Sequence, residues 1–165
     1  IREGCNNCHS QMIRPFRSET ERYGEYSKAG EFVYDHPFLW GSKRTGPDLM
    51  RIGGKYPNLW HYYHMNDPAS ISPGSIMPPY PWLLEQELDI STTEAKINTM
   101  RKLGVPYNPD YEKISNTELI DQASKISEDL KKNGIEVENT KEIIALIAYL
   151  QRMGTDIKVD ATTGK

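Results

Sequence analysis

With 165 residues, the chain has room for one domain of ordinary size. Hydrophobic residues make up 37%, which is lean for a core built of side chains alone, so a large apolar cofactor would complete it. A net charge of -3 and a pI near 5.8 with no basic stripe exclude a surface built to neutralise nucleic-acid phosphates, and no stretch approaches the ~20 apolar residues of a membrane-spanning helix.

Along the chain, residues 1 to 82 are rich in Gly, Pro, aromatics and histidine with little sustained periodicity, the texture of loops wrapped around something. Ser91-x-x-Glu94 then reads as a capping box opening a helix through Leu103, closed by Gly104-Val105-Pro106. A second box, Ser115-x-x-Glu118, opens a helix with Leu119, Ala123, Ile126 and Leu130 on one face and Asn133-Gly134 at its end. Asn139-x-x-Glu142 opens the last helix, where Ile143, Leu146, Ile147 and Leu150 recur at helical spacing before Gly154. The tail 155–165 is polar and patternless. No strand candidate and no repeat stand out, so the expected class is all-α with long irregular connections.

The chain has only two cysteines, both in Cys5-Asn-Asn-Cys8-His9. A disulfide between residues three apart closes too small a loop to stabilise much. Cys-x-x-Cys-His is instead the attachment signature of haem c: the two thiols reach the two vinyl groups, and the adjacent imidazole comes under the iron. Two other readings remain open at this point. The pair could be a redox dithiol, or zinc could combine Cys5 and Cys8 with His61 and His64.

Haem c places further demands on a chain, and residues downstream meet them. A ligating histidine donates its second ring nitrogen to an acceptor, here expected to be a carbonyl of the loop Thr45-Gly46-Pro47-Asp48-Leu49. The other axial position suits Met77, held between Ile76 and Pro78-Pro79, whose thioether favours reduced iron. Of the other methionines, Met12 is too near His9 to reach the opposite face, and Met50, Met65, Met100 and Met153 read as core filler, Met65 being the competitor for iron. His36, His61 or His64 would be needed for a bis-histidine haem. Two propionates call for cations, with Arg14, Arg17, Lys43, Arg44 and Arg51 as candidates; Arg44 and Arg51, which flank the Gly-Pro loop, are preferred.

Cys5–Arg17, Arg22-Tyr-Gly24, Tyr34–Leu49, Gly53-Gly-Lys-Tyr56, Trp60-His61, Met77-Pro, Tyr80-Pro-Trp-Leu83 and Leu103-Gly-Val-Pro-Tyr107 together resemble the mono-haem subunit II (FixO/CcoO type) of cbb(3)-type cytochrome c oxidases. The likeness is close over residues 3 to 107 and weaker in the C-terminal helix. It implies a class I cytochrome c-like domain over 1–154, with a haem-binding region over residues 1–84, a helical insertion over 85–138 and a C-terminal helix over 139–154. It also implies one covalent haem c held by Cys5, Cys8, His9 and Met77, with His9 and Met77 on the iron.

By the same resemblance, electrons pass from a di-haem c subunit through this chain to the catalytic, oxygen-reducing subunit on the periplasmic side of the bacterial inner membrane. Family members are anchored by an N-terminal membrane helix, which is missing upstream of Ile1, so the 165 residues read as a soluble fragment. A calcium ion at the complex interface, with Ser42 as a ligand, is a further implication. With both axial positions filled the chain itself catalyses no bond rearrangement. A free periplasmic electron carrier would share fold and cofactor and differ in partner. Of the aromatic residues, Tyr34, Phe38, Trp40, Tyr56, Trp60, Tyr62, Tyr63, Tyr80 and Trp82 read as haem-pocket wall and core, and some could face the catalytic subunit.

Overall fold

A computed structural model describes residues 2–38 and 43–155. Among the described residues the chain is helical, with no strand. The helices are α1 (Arg17–Tyr23), α2 (Asn58–Asn66), α3 (Pro68–Ile71), α4 (Trp82–Glu85), α5 (Thr93–Lys102), α6 (Tyr111–Lys132) and α7 (Glu142–Arg152), with 3₁₀ turns at Cys5–Asn7 and Ala29–Phe32. Contacts gather the chain into two compact units, one of residues up to Lys55 together with the chain from Leu150, the other of Tyr56–Tyr149. Within the second unit α6 packs against both α5 and α2.

The first unit is small and tied together by polar groups as much as by apolar ones. Its core is Ile13, Phe32 and Met50, with Met12 and Tyr23 packed alongside. Helix α1 has an almost wholly polar sequence, and the residue it buries is Glu19. It starts after extended Phe16 and stops at Gly24, whose φ of 108° a side chain would resist. The end of α7 lies directly on the backbone at Gly53: the Gly53 amide donates to the Met153 carbonyl at 3.0 Å, and a Cβ on Gly53 would stand 2.4 Å from that oxygen.

In the second unit, α2 begins after Pro57, whose backbone is extended, and a ladder of rings runs along its start: Tyr56 stacks on Trp60 at 4.0 Å and Trp60 on His64 at 4.4 Å. The Asp67 carboxylate caps α3, whose first residue is Pro68, a position where the missing N–H costs nothing. Helices α5 and α6 form a hairpin closed by Arg101, which donates to Glu112 at 2.7 Å and to the Asn108 carbonyl at 2.8 Å. Asn58 ties α2 to Asp129 of α6 at 2.9 Å. An isolated bridge between Glu87 and Lys141, reinforced by their ion pair, leads into α7.

The three C-terminal helices stand where the periodicity puts them, but their starts differ. Neither of the boxes expected at α5 and α6 closes. Asp89, not Ser91, makes the turn before α5, accepting from the Ser91 amide at 2.9 Å. Helix α6 begins a turn early at Tyr111, leaving Ser115 buried inside it with its hydroxyl on the Glu112 carbonyl. Helix α7 begins at Glu142, and the Asn139 side chain donates to the Ser124 hydroxyl of α6 at 2.8 Å. Ala123, Ile126 and Leu130 are buried as expected. On α7 the buried face is Ile143, Ile144, Ile147 and Leu150, so it is rotated toward Ile144, and Leu146 is only half-buried. Helices α1 to α3 occupy a stretch that reads as loop, because α1 lacks apolar periodicity and α2 is aromatic nearly all round.

Candidate haem-binding site

The motif Cys5–His9 forms a tight turn. The Cys8 and His9 amides both donate to the Cys5 carbonyl, at 3.1 and 2.9 Å, which brings the cysteines and the histidine together at one corner. Both thiols are unbridged; Cys5 is half-buried and Cys8 exposed. Burial pushes the Cys5 thiol above its ordinary pKa, with nearby charges making smaller changes.

His9 is fixed by the Gly-Pro loop. Its Nδ1 lies 2.8 Å from the Pro47 carbonyl oxygen. A carbonyl only accepts, so Nδ1 carries the proton and Nε2 keeps its lone pair for a metal. On either side of this contact the two segments are laced by backbone bonds, Gly46 N–H to Cys8 O and Leu49 N–H to Ser10 O, both 2.9 Å. Gly46 faces the ring itself: a Cβ there would stand 2.2 Å from His9 Cε1. The loop thus forms a cradle shaped to one imidazole, with its Nδ1 committed to the protein.

Asp48 joins the same two segments. Its side chain is fully buried and accepts from the Ser10 hydroxyl, from the Met12 amide at 3.1 Å and from the Met50 amide at 2.8 Å. Arg44 completes the lacing, donating to Ser10 Oγ at 2.8 Å, the Met12 carbonyl at 3.0 Å and Glu19 at 2.8 Å, while its guanidinium lies 4.9 Å from the Tyr23 ring centroid. Glu19 also takes the Arg14 side chain and backbone amide. The Arg44 hydrogen bond, followed by those of Arg14, holds the Glu19 carboxyl down at about 2 against the cost of burial.

The arginines expected for propionates therefore have partners within the chain. Arg44 is paired with Glu19 and Asp48, Arg51 forks onto both oxygens of Glu31 at 2.6 and 2.9 Å, and Arg14 pairs with Glu19. Arg17 pairs with Glu21 on the exposed side of α1, and Lys43 is exposed. Glu19, Glu31 and Ser10 carry no sequence signal for these roles: an acid on a polar helix has no pattern that announces burial.

In the second unit, Met77 is half-buried on the loop before α4, its amide held by Ser75 Oγ at 3.2 Å. Met65, the competing thioether, is buried on α2. His61 is 1% exposed, edge-on to Tyr56 and Trp60, and its Nε2 is buried without a partner. Burial, and secondarily the neighbouring His64, lowers its pKa to about 4, so it is neutral at ordinary pH. His36 lies with its ring 5.5 Å from that of Phe38. Ser42 and Trp40 lie outside the described residues. Among the described residues no group of three or more His, Cys, Asp or Glu is clustered to hold a metal ion, which leaves the zinc reading without a ligand set there.

The donors at the Cys5–His9 corner suit a covalently bound haem: two thiols at the attachment spacing and an imidazole whose tautomer and plane are set, with nothing larger than hydrogen tolerated at Gly46. No helix among the described residues is long and apolar enough to cross a membrane. No curated protein matches the chain. The family model described as cytochrome c oxidase, mono-haem subunit/FixO, matches residues 1–157, and the chain belongs to that family.

Proposed function

We propose that the chain carries one haem c, attached through Cys5 and Cys8 with His9 and Met77 as axial ligands, and relays electrons in a cbb(3)-type oxidase from the di-haem subunit to the catalytic subunit. The single observation that carries the reading is the His9–Pro47 hydrogen bond, which commits Nδ1 to the protein and leaves Nε2 for iron. Haem supplies a one-electron couple, and the chain's role is to hold it, set its ligands and keep it from reacting with oxygen. His9 is held by Pro47 and Gly46; Met77 offers a soft ligand that favours the reduced state.

The location on the periplasmic side and the anchoring helix follow from the same family reading, as does the calcium site to which Ser42 would contribute. The arginines are read differently: Arg44, paired with Glu19, braces the segments around His9, and Arg51, paired with Glu31, holds the Glu25–Glu31 stretch, with propionate pairing as a secondary use of any remaining donors. The test is the visible spectrum of the protein produced with haem-attachment machinery. A low-spin spectrum with a thioether-to-iron band that disappears in Met77→Ala is the expected result. Persistence of the band in that variant would transfer the ligand role to Met65.

A further inference from the structure

The contacts around His9 point beyond the residues that touch it. The Pro47 carbonyl is held in place by its neighbours in the loop, and the most heavily bonded of these is Asp48. Its carboxylate, fully buried, gathers three donors from two stretches of chain, Ser10 and Met12 on one side and Met50 on the other. Ser10 directly follows His9, and Asp48 directly follows Pro47, so this carboxylate spans the two ends of the His9–Pro47 contact. A buried carboxylate with its acceptor sites filled resists displacement, because moving it breaks several bonds at once.

Behind Asp48 stands Arg44, which touches Ser10, Met12, Asp48 and Glu19. Glu19 is in turn locked by Arg14. The result is a chain of alternating charges, Arg14, Glu19, Arg44 and Asp48, that runs from the polar helix α1 to the loop under His9. It explains why α1, without an apolar face, buries a glutamate: that residue neutralises the arginine that the loop requires.

We infer that Asp48, backed by Arg44 and Glu19, is the positioning group that sets the His9 Nδ1 to Pro47 hydrogen bond. The inference deepens the proposed function and rests on His9 being the iron ligand. A tight bond increases the electron donation of the imidazole to iron; a loosened one weakens it and lets solvent reach the Nδ1 proton.

The readout is exchange of the His9 Nδ1 proton with solvent, followed by NMR in the reduced, haem-loaded protein, for wild type, Asp48→Asn, Ser10→Ala and Lys113→Gln. Asp48→Asn keeps the shape but replaces an acceptor oxygen with a donor facing the Met12 amide, and exchange is expected to quicken about tenfold, the factor corresponding to one buried hydrogen bond. Ser10→Ala removes one of the donors and moves the rate in the same direction by less, so the assignment stays testable even if Asp48→Asn fails to fold. Lys113→Gln, at an exposed ion pair with Asp110 at the start of α6 and outside the network, leaves the rate unchanged. Rates within about twofold of wild type in Ser10→Ala or in folded Asp48→Asn overturn the assignment, as does equal quickening in Lys113→Gln. A wild type lacking a low-spin haem spectrum overturns the proposed function itself; a normal spectrum with unmoved rates overturns the positioning role alone.

Discussion

The ring of His9 lies against Gly46 so closely that a single added methyl would sit 2.2 Å from Cε1. The backbone at Gly46 is not in the left-handed region, so the demand for glycine there is one of space alone. Gly46→Ala is expected to push the ring off the Pro47 carbonyl. The cost expected for overpacking is ~1–3 kcal/mol. Thermal unfolding of the haem-loaded variant, together with its spectrum, checks this: a lowered midpoint and a loss of low-spin character are expected.

Acid should weaken the protein in two separate windows. His61 is neutral in the fold, its pKa lowered to about 4 by burial, whereas unfolded it titrates near 6.5. The unfolded chain therefore binds the extra proton, and stability falls as pH drops from about 6.5 toward 4. Glu19 is held at about 2 by Arg44, below its ordinary 4.5, so its contribution is present above 4.5 and lost as pH falls toward 2. His61→Phe should flatten the first limb of a stability-against-pH curve and Glu19→Gln the second, each leaving the other in place.

Core substitutions should sort by burial. Leu130 on α6 and Ile147 on α7 are fully buried, and Leu130→Ala or Ile147→Ala is expected to cost ~2–5 kcal/mol in denaturant unfolding. Leu146→Ala, on the half-buried edge of α7, should cost clearly less. Ile114→Ala, on the exposed side of α6, should stay within about 0.5 kcal/mol.

The two thioethers separate by function. Met77→Ala should abolish the thioether-to-iron band with little effect on the fold of its loop, since Met77 is only half-buried. Met65→Ala should keep the band and lower the unfolding midpoint, because Met65 is core on α2. Spectra and melting curves of the two variants side by side give the check.

What is legible in the sequence follows the strength of its local signals. Helices α6 and α7 are readable because apolar residues recur at helical spacing, α5 because of the signals at its ends, and Gly104, Gly134 and Gly154 stop the three, all at positive φ. Their first residues are not: the Ser91 amide and the Ser115 hydroxyl find partners other than the helix start, and α7 opens three residues past Asn139. Helix α1 is invisible because its one buried side chain is an acid, stabilised chiefly by an arginine distant in sequence. At the candidate site, Cys5, Cys8, His9 and Pro47 are local motifs with fixed spacing. The Glu19–Arg44–Asp48 network has no such local signature: Arg44 and Asp48 lie 25 and 29 positions beyond Glu19, and the three meet only when the loop closes under His9.

Covalent attachment of one haem through Cys5 and Cys8, with His9 on its iron, is tested most directly by the mass and visible spectrum of the protein after denaturation and acid–solvent extraction. The chain is predicted to keep the mass and colour of one haem, the double variant Cys5→Ala with Cys8→Ala to release it, and His9→Ala to leave haem attached but no longer low-spin. A colourless chain after extraction, or stoichiometric zinc on Cys5 and Cys8 in place of haem, would contradict that attachment.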